Sequence, residues 1–373
     1  MTEKKARLII IGPIPPPTHG VTASTRFALE NRQLRQAFDV SHVDTSDRRD
    51  LRNIGKVDVQ NLLLALRHVG AMLIQLRGRR GIVYLPLSNG IAFFRDSLFI
   101  LAASLLRWKV AVHLHCGDFD RFYKTAGTFL RRWIRFTMKH VGSAGVLGDS
   151  LRPNLKALVP HDRIVVIANG VDDVALHAPA GRSPRPSASI LFLSHLRRRK
   201  GVVEATLAAL KVIEEMPEAR FIFAGEWLDR DLEKELREKT ASVAAIRFLP
   251  AVQSPRKEEL LMTSSIFLFP PVLSEGQPLV LLEALAAGLP IVTTNRGAIA
   301  ETVVDQECGY VLEHPDPTKL AERILVLLQD DLLRDAMGKA ARRRYLQMYT
   351  RSSADARLSQ WLTQLGSHAV DSR

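Results

Sequence analysis

The chain has 373 residues, more than a single hydrophobic core usually holds, so we expect two domains. Hydrophobic residues make up 46% of the chain and charged residues 24%, which is typical of soluble globular proteins and excludes a disordered or fibrous chain. The formal net charge is +13, with 52 Lys and Arg against 39 Asp and Glu. This excess predicts an anionic partner: nucleic acid, an anionic membrane or a phosphorylated substrate.

The two cysteines, Cys116 and Cys308, are far apart and give neither a disulfide framework nor a metal-ligand spacing. Residues 1–7 are charged but lead into only about six apolar residues, which is too few for a signal peptide. The longest apolar stretches, such as residues 97–106, are too short to span a bilayer. We therefore expect a cytoplasmic protein, either soluble or bound peripherally to the inner face of the plasma membrane.

In the first half of the chain, apolar runs typical of buried parallel strands alternate with helical patterns. The predicted strands are residues 7–12, 38–43, 81–87, 109–115, 141–147 and 164–167, and the predicted helices begin near Thr22 and cover residues 61–76, 96–106 and 119–140. A proline-rich loop that contains Gly20 joins the first strand to its helix. Such a loop suits a phosphate group, although the prolines could simply form a stiff turn.

Strand 109–115 ends in two histidines, His113 and His115, which strand alternation places on the same face. Open parallel sheets bind ligands at the carboxyl ends of their strands, so a histidine here is a candidate for substrate contact or a proton relay. The alternative for each is a structural histidine with satisfied hydrogen bonds.

Residues 119–140 interleave arginines and lysines with aromatic residues, which predicts a basic amphipathic helix able to lie on an anionic membrane. The alternative is a helix with a solvated basic face. Two Asp-x-Asp pairs also occur, at residues 118–120 and 229–231. Because this short pattern arises twice in one chain, we treat both as chance matches and predict no metal site.

Residues 178–189 are rich in Pro, Ser and Ala and predict a linker. Beyond it, strands are predicted at residues 190–193, 221–225, 246–249, 266–269, 289–294 and 309–312, with helices between them and from residue 317 onward. The turn after the first of these strands holds four consecutive cations, residues 197–200. A diphosphate would favour such a cluster, with Lys200 as a point charge; the alternative is a solvated loop.

The most informative segment is residues 274–290. After a buried strand, the loop carries Glu275, Pro278 suits the first turn of a helix, and Gly288 ends that helix. The free N–H groups of the helix N-terminus favour an anion such as phosphate. Two carboxylates, Glu275 at the start of the helix and Glu283 partway along it, would lie near that anion. This arrangement favours a ligand with a polar uncharged part, such as a sugar, between the anion and the carboxylates. The alternative is an ordinary capped surface helix.

The alternation of strands and helices in two halves predicts an α/β protein with two Rossmann-like, doubly wound domains facing a central cleft. In this order, the motifs resemble those of retaining GT-B glycosyltransferases, most of all glycosyltransferase family 4 (glycosyl transferases group 1). The matching segments are residues 17–20, 113–115, 167–172, 200–201, 224–226, 275–278 and 283–290. The most specific element is the pair Glu275 and Glu283, separated by seven residues.

The resemblance implies a role for each matching residue. Glu275 would contact the donor sugar at the reaction centre, His115 would lie beside that sugar, and Lys200 would neutralise the leaving diphosphate. Glu283 would bind the ribose hydroxyls of the nucleotide. The other donor-binding residues implied are Gly20, His195, Arg199, Gly276, Gln277, Pro278 and Leu279.

The resemblance further implies transfer of a sugar from a UDP- or GDP-linked donor to a lipid-linked or saccharide acceptor. Transfer would retain the configuration of the anomeric carbon and use no metal ion or other cofactor. Residues 1–175 would form the acceptor-binding domain, residues 190–350 the donor-binding domain, and residues 351–373 a helix that crosses back to the first domain.

One position departs from the family pattern, which often has an arginine five residues before the lysine. His195 stands there, and this puts the strength of the diphosphate clamp in question. Two alternative functions remain open at this stage. A sugar-nucleotide epimerase shares the same two-domain plan, and a nucleic-acid-binding protein would match the charge. The sequence has no helix-turn-helix, zinc or stacking motif, so we expect no nucleic-acid partner.

Overall fold

The structure is a computed structural model that describes residues 5–16, 20–47, 59–177 and 188–367. The chain forms two compact units, which divide between residues 169 and 170 and again between residues 351 and 352. The first unit therefore combines the N-terminal part of the chain with its C-terminal helix, whereas the second unit is one continuous segment. Each unit contains a six-stranded parallel sheet.

The sheet of the first unit has the strand order β2-β1-β3-β4-β5-β6. Its strands are β1 (Ala6–Gly12), β2 (Phe38–Asp44), β3 (Gly81–Leu87), β4 (Lys109–Leu114), β5 (Ser143–Val146) and β6 (Ile164–Val166). In β1, Leu8 lies in register with Val40 on one side and Ile82 on the other. The continuous apolar run of β1 is buried on both faces, as expected for an inner strand covered by helices.

The helices of this unit are α1 (Gly20–Glu30), α2 (Arg32–Ala37), α3 (Val59–Gln75), α4 (Ala92–Leu105), α5 (Phe119–Thr125) and α6 (Thr128–Met138). The prediction of one continuous helix over residues 119–140 was wrong. Ala126 and Gly127 have extended backbones, so one helix ends and another begins there. Helix α4 starts four residues before the predicted position because the turn at Gly90, with φ +64°, already directs the chain into the helix.

The sheet of the second unit has the order β12-β11-β10-β7-β8-β9. Its strands are β7 (Ser189–Leu193), β8 (Arg220–Ala224), β9 (Ile246–Leu249), β10 (Ile266–Phe269), β11 (Ile291–Thr294) and β12 (Gly309–Leu312). The strand order reverses between β7 and β10, which lie side by side in the middle of the sheet. The loops that follow these two strands are therefore neighbours, and ligands of open α/β sheets bind at such a switch point.

The helices of the second unit are α7 (Val202–Glu215), α8 (Arg230–Lys239), α9 (Arg256–Thr263), α10 (Leu279–Ala287), α11 (Ile299–Thr302), α12 (Pro317–Gln329) and α13 (Asp331–Arg344). A π-helical turn, Tyr345–Tyr349, follows α13. Residues 178–187 of the predicted linker lie outside the described residues, and Ser189 already belongs to β7.

The chain enters and leaves the second unit at one place. Val171 and Thr350 form a β-bridge, and the Val171 carbonyl accepts hydrogen bonds from the Arg351 N–H at 3.0 Å and the Tyr345 hydroxyl at 3.1 Å. Beside this bridge, Arg342 binds the Asp173 carboxylate through both terminal nitrogens, at 2.6 Å and 2.5 Å. The two ends of the unit are thus fastened to each other.

The last helix, α14 (Arg351–Ser367), packs into the core of the first unit. Trp361 is buried there, and its indole N–H donates to the Ser143 hydroxyl at 2.8 Å. Its ring meets Tyr84 and His113 edge-on, with centroids 6.1 Å and 5.8 Å away. Over the described ranges, no helix is long and apolar enough to cross a bilayer.

Candidate active site

The loops that follow β7 and β10 interlock at the switch point of the second sheet. Gly201 ends the β7 loop with φ +79°, and a Cβ at that position would lie 1.8 Å from the Pro270 carbonyl oxygen, so only glycine is accommodated. The Arg199 carbonyl accepts the Val272 N–H at 3.1 Å. This close approach brings the side chains of the two loops together.

Lys200 and Glu275, one from each loop, form an ion pair. The lysine Nζ lies 2.7 Å and 2.8 Å from the two carboxylate oxygens, and the side chains are only 20% and 10% exposed. The lysine also lies over the Phe269 ring, 5.8 Å from its centroid. Sequence reasoning assigned both residues to the site but did not predict their contact with each other. The pair leaves the centre of the site with little net charge.

A second glycine, Gly297, packs directly against the backbone of Glu275. Gly297 has φ +66°, and a Cβ there would lie 1.6 Å from the Glu275 carbonyl oxygen. The Ala298 N–H donates to the Gly276 carbonyl at 3.1 Å, and the Gln277 amide donates to the Thr302 hydroxyl at 3.1 Å. The Gln277 side chain is buried. The sequence signal for this support was a glycine three residues after the end of β11, to which no role was assigned from the sequence.

Helix α10 starts at the mouth of the site without a capping side chain, and Pro278 holds the N-cap position. It ends at Gly288, with φ +68°, as predicted. Glu283 lies partway along the helix, where Oε1 accepts a hydrogen bond from Lys257 Nζ at 2.7 Å. Its Oε2 is buried and has no hydrogen-bond partner among the described residues. An uncapped helix N-terminus attracts a phosphate, and an unpaired buried carboxylate oxygen attracts a hydroxyl donor.

His195 occupies the position where the family often has arginine. Its pKa is lowered, first by burial and then by the neighbouring Lys200, although Glu226 acts in the opposite direction. The imidazole is therefore neutral at pH 7 and cannot supply a permanent charge. Of the nearby cations, Arg198 pairs with Glu235 and Arg199 has an exposed side chain. Among the four cations of residues 197–200, the one shielded from water is Lys200, whose side chain is 20% exposed.

The remaining predicted residues, His115 and Gly20, belong to the first unit. The rings of His113 and His115 lie 4.3 Å apart, so their predicted placement on one face is confirmed. His113 Nε2 donates to the Ile167 carbonyl at 3.1 Å, and Nδ1 accepts from the Tyr84 hydroxyl at 2.9 Å. Both of its nitrogens are satisfied, which makes His113 structural.

His115 is different, because burial lowers its pKa to about 4 and its Nε2 has no hydrogen-bond partner in the described ranges. Gly20 is the first residue of α1, and a Cβ there would meet nothing within 4 Å. The three residues before it, residues 17–19, which carry much of the predicted loop motif, lie outside the described residues.

The two Asp-x-Asp pairs have structural partners. Asp118 accepts a hydrogen bond from Asn89 at 2.8 Å, and Asp120 pairs with Lys124 at 2.7 Å. Asp229 caps helix α8 by accepting the N–H groups of Asp231 and Leu232, both at 3.1 Å. In the part of the chain that the structure describes, no three potential metal ligands are grouped together.

Comparison with known proteins gives the family. The model of the glycosyl transferases group 1 matches residues 177–344. Phosphatidyl-myo-inositol mannosyltransferase of Mycobacterium tuberculosis is 32% identical over 261 residues, which are 67% of each chain. The chain belongs to the glycosyl transferases group 1. The predicted enzyme class, a glycosyltransferase that transfers hexoses, is thereby confirmed.

Solved structures agree with the GT-B fold of this glycosyltransferase. A glycosyltransferase from Rickettsia africae has a TM-score of 0.75 at 15% identity, covering 97% of this chain and 99% of that one. Anabaena HepE in complex with UDP and glucose has a TM-score of 0.73 at 16% identity, with 96% and 99% covered. The predicted pair of Rossmann-like domains is confirmed.

The support under Glu275 can be tested by replacing Gly297 with alanine. We expect Gly297→Ala to lower the free energy of unfolding by more than about 1 kcal/mol, because alanine adds both left-handed strain and a backbone clash. Gly90→Ala is the matched control, since Gly90 has φ +64° and free space where the Cβ would lie. Urea unfolding of both variants measures the difference. Equal losses would show that the contact with Glu275 adds nothing.

The buried histidines predict loss of stability in acid. At pH values between 6.5 and about 4 the unfolded chain protonates His115 while the folded protein does not. The contribution of neutral His115 to the free energy of unfolding is therefore fully present above pH 6.5. It declines as the pH falls below 6.5 and is lost at about pH 4, a total of up to about 3 kcal/mol. We expect His115→Asn to flatten this dependence in urea unfolding between pH 7.5 and 4.5. His161→Asn, at an exposed histidine, is the control, and a slope unchanged in His115→Asn would contradict the assignment.

Proposed function

We propose that this enzyme transfers a hexose from a UDP- or GDP-linked sugar to a lipid-linked or saccharide acceptor, with retention of anomeric configuration and without a metal ion. The observation that carries the proposal is the Lys200–Glu275 pair at the uncapped N-terminus of α10. Lys200 can follow the negative charge that appears on a departing diphosphate. Glu275 then stays beside the sugar, whose hydroxyls are suitable partners for a carboxylate.

The proposed step breaks the bond between the anomeric carbon and the diphosphate oxygen and forms a bond to an acceptor hydroxyl oxygen on the same face of the sugar. The proton of that hydroxyl passes to the departing diphosphate. Negative charge then moves onto the diphosphate, where Lys200 and the N–H groups at the start of α10 stabilise it. These groups are already oriented before reaction, which favours the transition state. Because Lys200 and these N–H groups provide positive charge themselves, the proposed reaction needs no bound cation.

The roles of the other site residues follow from their surroundings. Glu283 would bind the ribose through the carboxylate oxygen that has no protein partner. The neutral imidazole of His195 would donate a hydrogen bond to the diphosphate, where relatives often have an arginine. His115 would contact the sugar, and Gly20 would allow the backbone to approach donor or acceptor.

Comparisons with known proteins support both substrate proposals, and the net charge of the chain supports the acceptor. The mycobacterial relative is named for transfer of mannose to phosphatidyl-myo-inositol, and HepE was crystallised with UDP and glucose. The net charge of +13 suits an acceptor carried in an anionic membrane.

The helices α3, α4 and α6 of the first unit pack side by side and present apolar side chains to solvent. We call this the three-helix surface. Its exposed members are Leu63, Leu66, Leu73, Ile74, Phe94, Leu98, Leu105, Phe129 and Phe136. Phe129 and Phe136, two turns apart on α6, are 77% and 50% exposed. Patches of this kind on soluble proteins mark interaction sites.

The charges on these helices favour an anionic partner for the three-helix surface. The sequences of α3, α4 and α6 contain one carboxylate, Asp96, which is buried against Arg95. Arginines, by contrast, occur on all three helices, and Arg132 and Lys139 flank the exposed phenylalanines. A second copy of the same surface would bring like charges together, whereas anionic lipid headgroups complement them. We therefore propose that this surface makes a peripheral contact with an anionic membrane.

The donor proposal is tested by thermal shift with a panel of nucleoside diphosphate-sugars in the presence of a chelator. A donor at a hundredfold excess over its dissociation constant adds about 2.7 kcal/mol of stability. We expect one UDP- or GDP-linked sugar to stabilise the wild-type enzyme and Glu283→Ala to lose most of that shift. Glu238→Ala, an exposed glutamate on α8, is the control and should keep it.

Product analysis then tests the reaction. Transfer to an acceptor with the donor's anomeric configuration, seen by NMR in the presence of chelator, would support the full proposal. An inverted product would overturn retention, and an absolute requirement for a divalent cation would overturn metal independence. A new nucleotide-sugar formed without any acceptor would identify an epimerase, and salt-dependent binding of nucleic acid with no donor shift would favour the nucleic-acid alternative.

The membrane contact is tested by sedimentation with phosphatidylcholine vesicles, with and without phosphatidylglycerol. We expect binding only to the anionic vesicles. Each exposed phenylalanine removed should weaken it about tenfold, since burying such a side chain contributes about 1.5–3 kcal/mol.

The variant is Phe129→Ala combined with Phe136→Ala. Its control is Leu332→Ala with Leu346→Ala, which removes two exposed leucines from the second unit. Equal binding by the phenylalanine variant and wild type would contradict the assignment. A concentration-dependent dimer, lost in the phenylalanine variant, would instead assign the surface to self-association.

A further inference from the structure

Glu283 is paired in an unusual way. Lys257 Nζ binds one carboxylate oxygen at 2.7 Å, while the other oxygen is buried without a partner among the described residues. At the neighbouring Glu275, by contrast, Lys200 reaches both oxygens. The two lysine–glutamate pairs of the site therefore differ in one respect: the Glu275 carboxylate is fully engaged, and the Glu283 carboxylate has one acceptor left.

Lys257 comes from a part of the chain to which the sequence analysis gave no role. It is in the first turn of α9, which precedes β10. The residue before it, Arg256, forms an ion pair with Glu259 of the same helix at 2.6 Å. Lys257 instead forms its ion pair with Glu283 on α10. The Lys257 and Glu283 side chains are 27% and 13% exposed, so the contact is largely shielded from water.

A purely stabilising ion pair would not account for the buried Glu283 oxygen that has no hydrogen-bond partner among the described residues. A buried carboxylate oxygen without a donor bears the desolvation penalty of a charged group with no hydrogen bond in return. That penalty is removed when a ligand donates to the free oxygen. A ribose offers adjacent hydroxyl donors, and the lysine on the opposite oxygen restricts the direction in which the free oxygen points.

We propose that Lys257 is a positioning residue that makes this enzyme selective for ribonucleotide over deoxyribonucleotide donors. By holding Oε1 of Glu283, it leaves Oε2 to accept a ribose hydroxyl, and it keeps the carboxylate charge balanced until the donor binds. Lys257 acts through Glu283 and need not touch the sugar that is transferred. The inference rests on the proposed function, because it takes the ribose of the donor as the ligand of Glu283.

The experiment compares dissociation constants by calorimetry for whichever of UDP and GDP the wild-type enzyme binds and for its 2′-deoxy and 3′-deoxy forms. We expect the wild type to prefer the ribonucleotide by about tenfold or more over at least one deoxy form, because that form leaves the buried oxygen unpaired. Lys257→Met should weaken binding of the ribonucleotide about tenfold and binding of the deoxy form only slightly. The two dissociation constants then become nearly equal. In steady-state assays the donor KM should rise while kcat at saturating donor stays near wild type.

A second variant separates positioning from structural support. In Lys257→Arg the charge is kept, but a guanidinium fork binds both oxygens of a carboxylate. We expect this variant to be as stable as wild type in urea unfolding and yet to lose ribose selectivity, since Oε2 is then occupied. A purely structural lysine would predict unchanged selectivity in Lys257→Arg. Lys234→Met, which removes a lysine from an exposed pair with Glu238, is the control for loss of charge.

Retained selectivity in Lys257→Arg would overturn the inference, whether or not Lys257→Met folds. The same holds if the wild type binds the nucleotide but does not distinguish it from either deoxy form. Failure of the wild type to bind either UDP or GDP is a separate result, because it would overturn the proposed function itself and remove the basis of the inference.

Discussion

The second unit depends on one interaction, the contact of Lys200 with both carboxylate oxygens of Glu275. Opposite charges that are largely removed from water attract strongly, but each bears a desolvation penalty that only the partner offsets. The two residues are far apart in sequence, and the fold must bring their loops to within bonding distance. The strand order that puts β7 beside β10 does this. Gly201 and Gly297 then allow the backbones to approach more closely than any side chain permits.

The two carboxylates of the segment have distinct environments although they belong to adjacent parts of the chain. Glu275 sits in the loop before α10, with its charge compensated by Lys200. Glu283 sits within α10, most of whose neighbouring side chains are buried. A helix fixed by its own apolar residues cannot rotate to relax the unpaired oxygen. The loop carboxylate thus suits a place where charge changes during reaction, and the helix carboxylate a place where a ligand is recognised.

Much of the fold could be predicted because buried parallel strands are short apolar runs with clear ends. The runs at residues 81–87 and 266–269 coincide with β3 and β10. Helix ends were harder. The amphipathic pattern of residues 119–140 continues through the break at Ala126 and Gly127, since periodicity reports which faces are apolar and does not report backbone direction.

The site was predictable where a motif encodes it and not where it arises from tertiary contact. Glu275, Glu283 and Lys200 are found from spacing and resemblance. The contact of Lys257 with Glu283 depends on how α9 packs against α10, which no local pattern records. Gly297 could have been noticed as a glycine after a strand, but the backbone it supports lies in another loop. The lowered pKa of His195 likewise reflects burial beside Lys200, a property of the folded loop.

The β-bridge between Val171 and Thr350 has a consequence for the history of the chain. Because the second unit begins and ends at the same point, it is topologically an insertion within a discontinuous first unit. Both junctions with the first unit lie at that point, and the insertion or excision of a domain is tolerated where its termini lie close together. A unit with adjoining termini can therefore be moved into another host chain without stretching either junction.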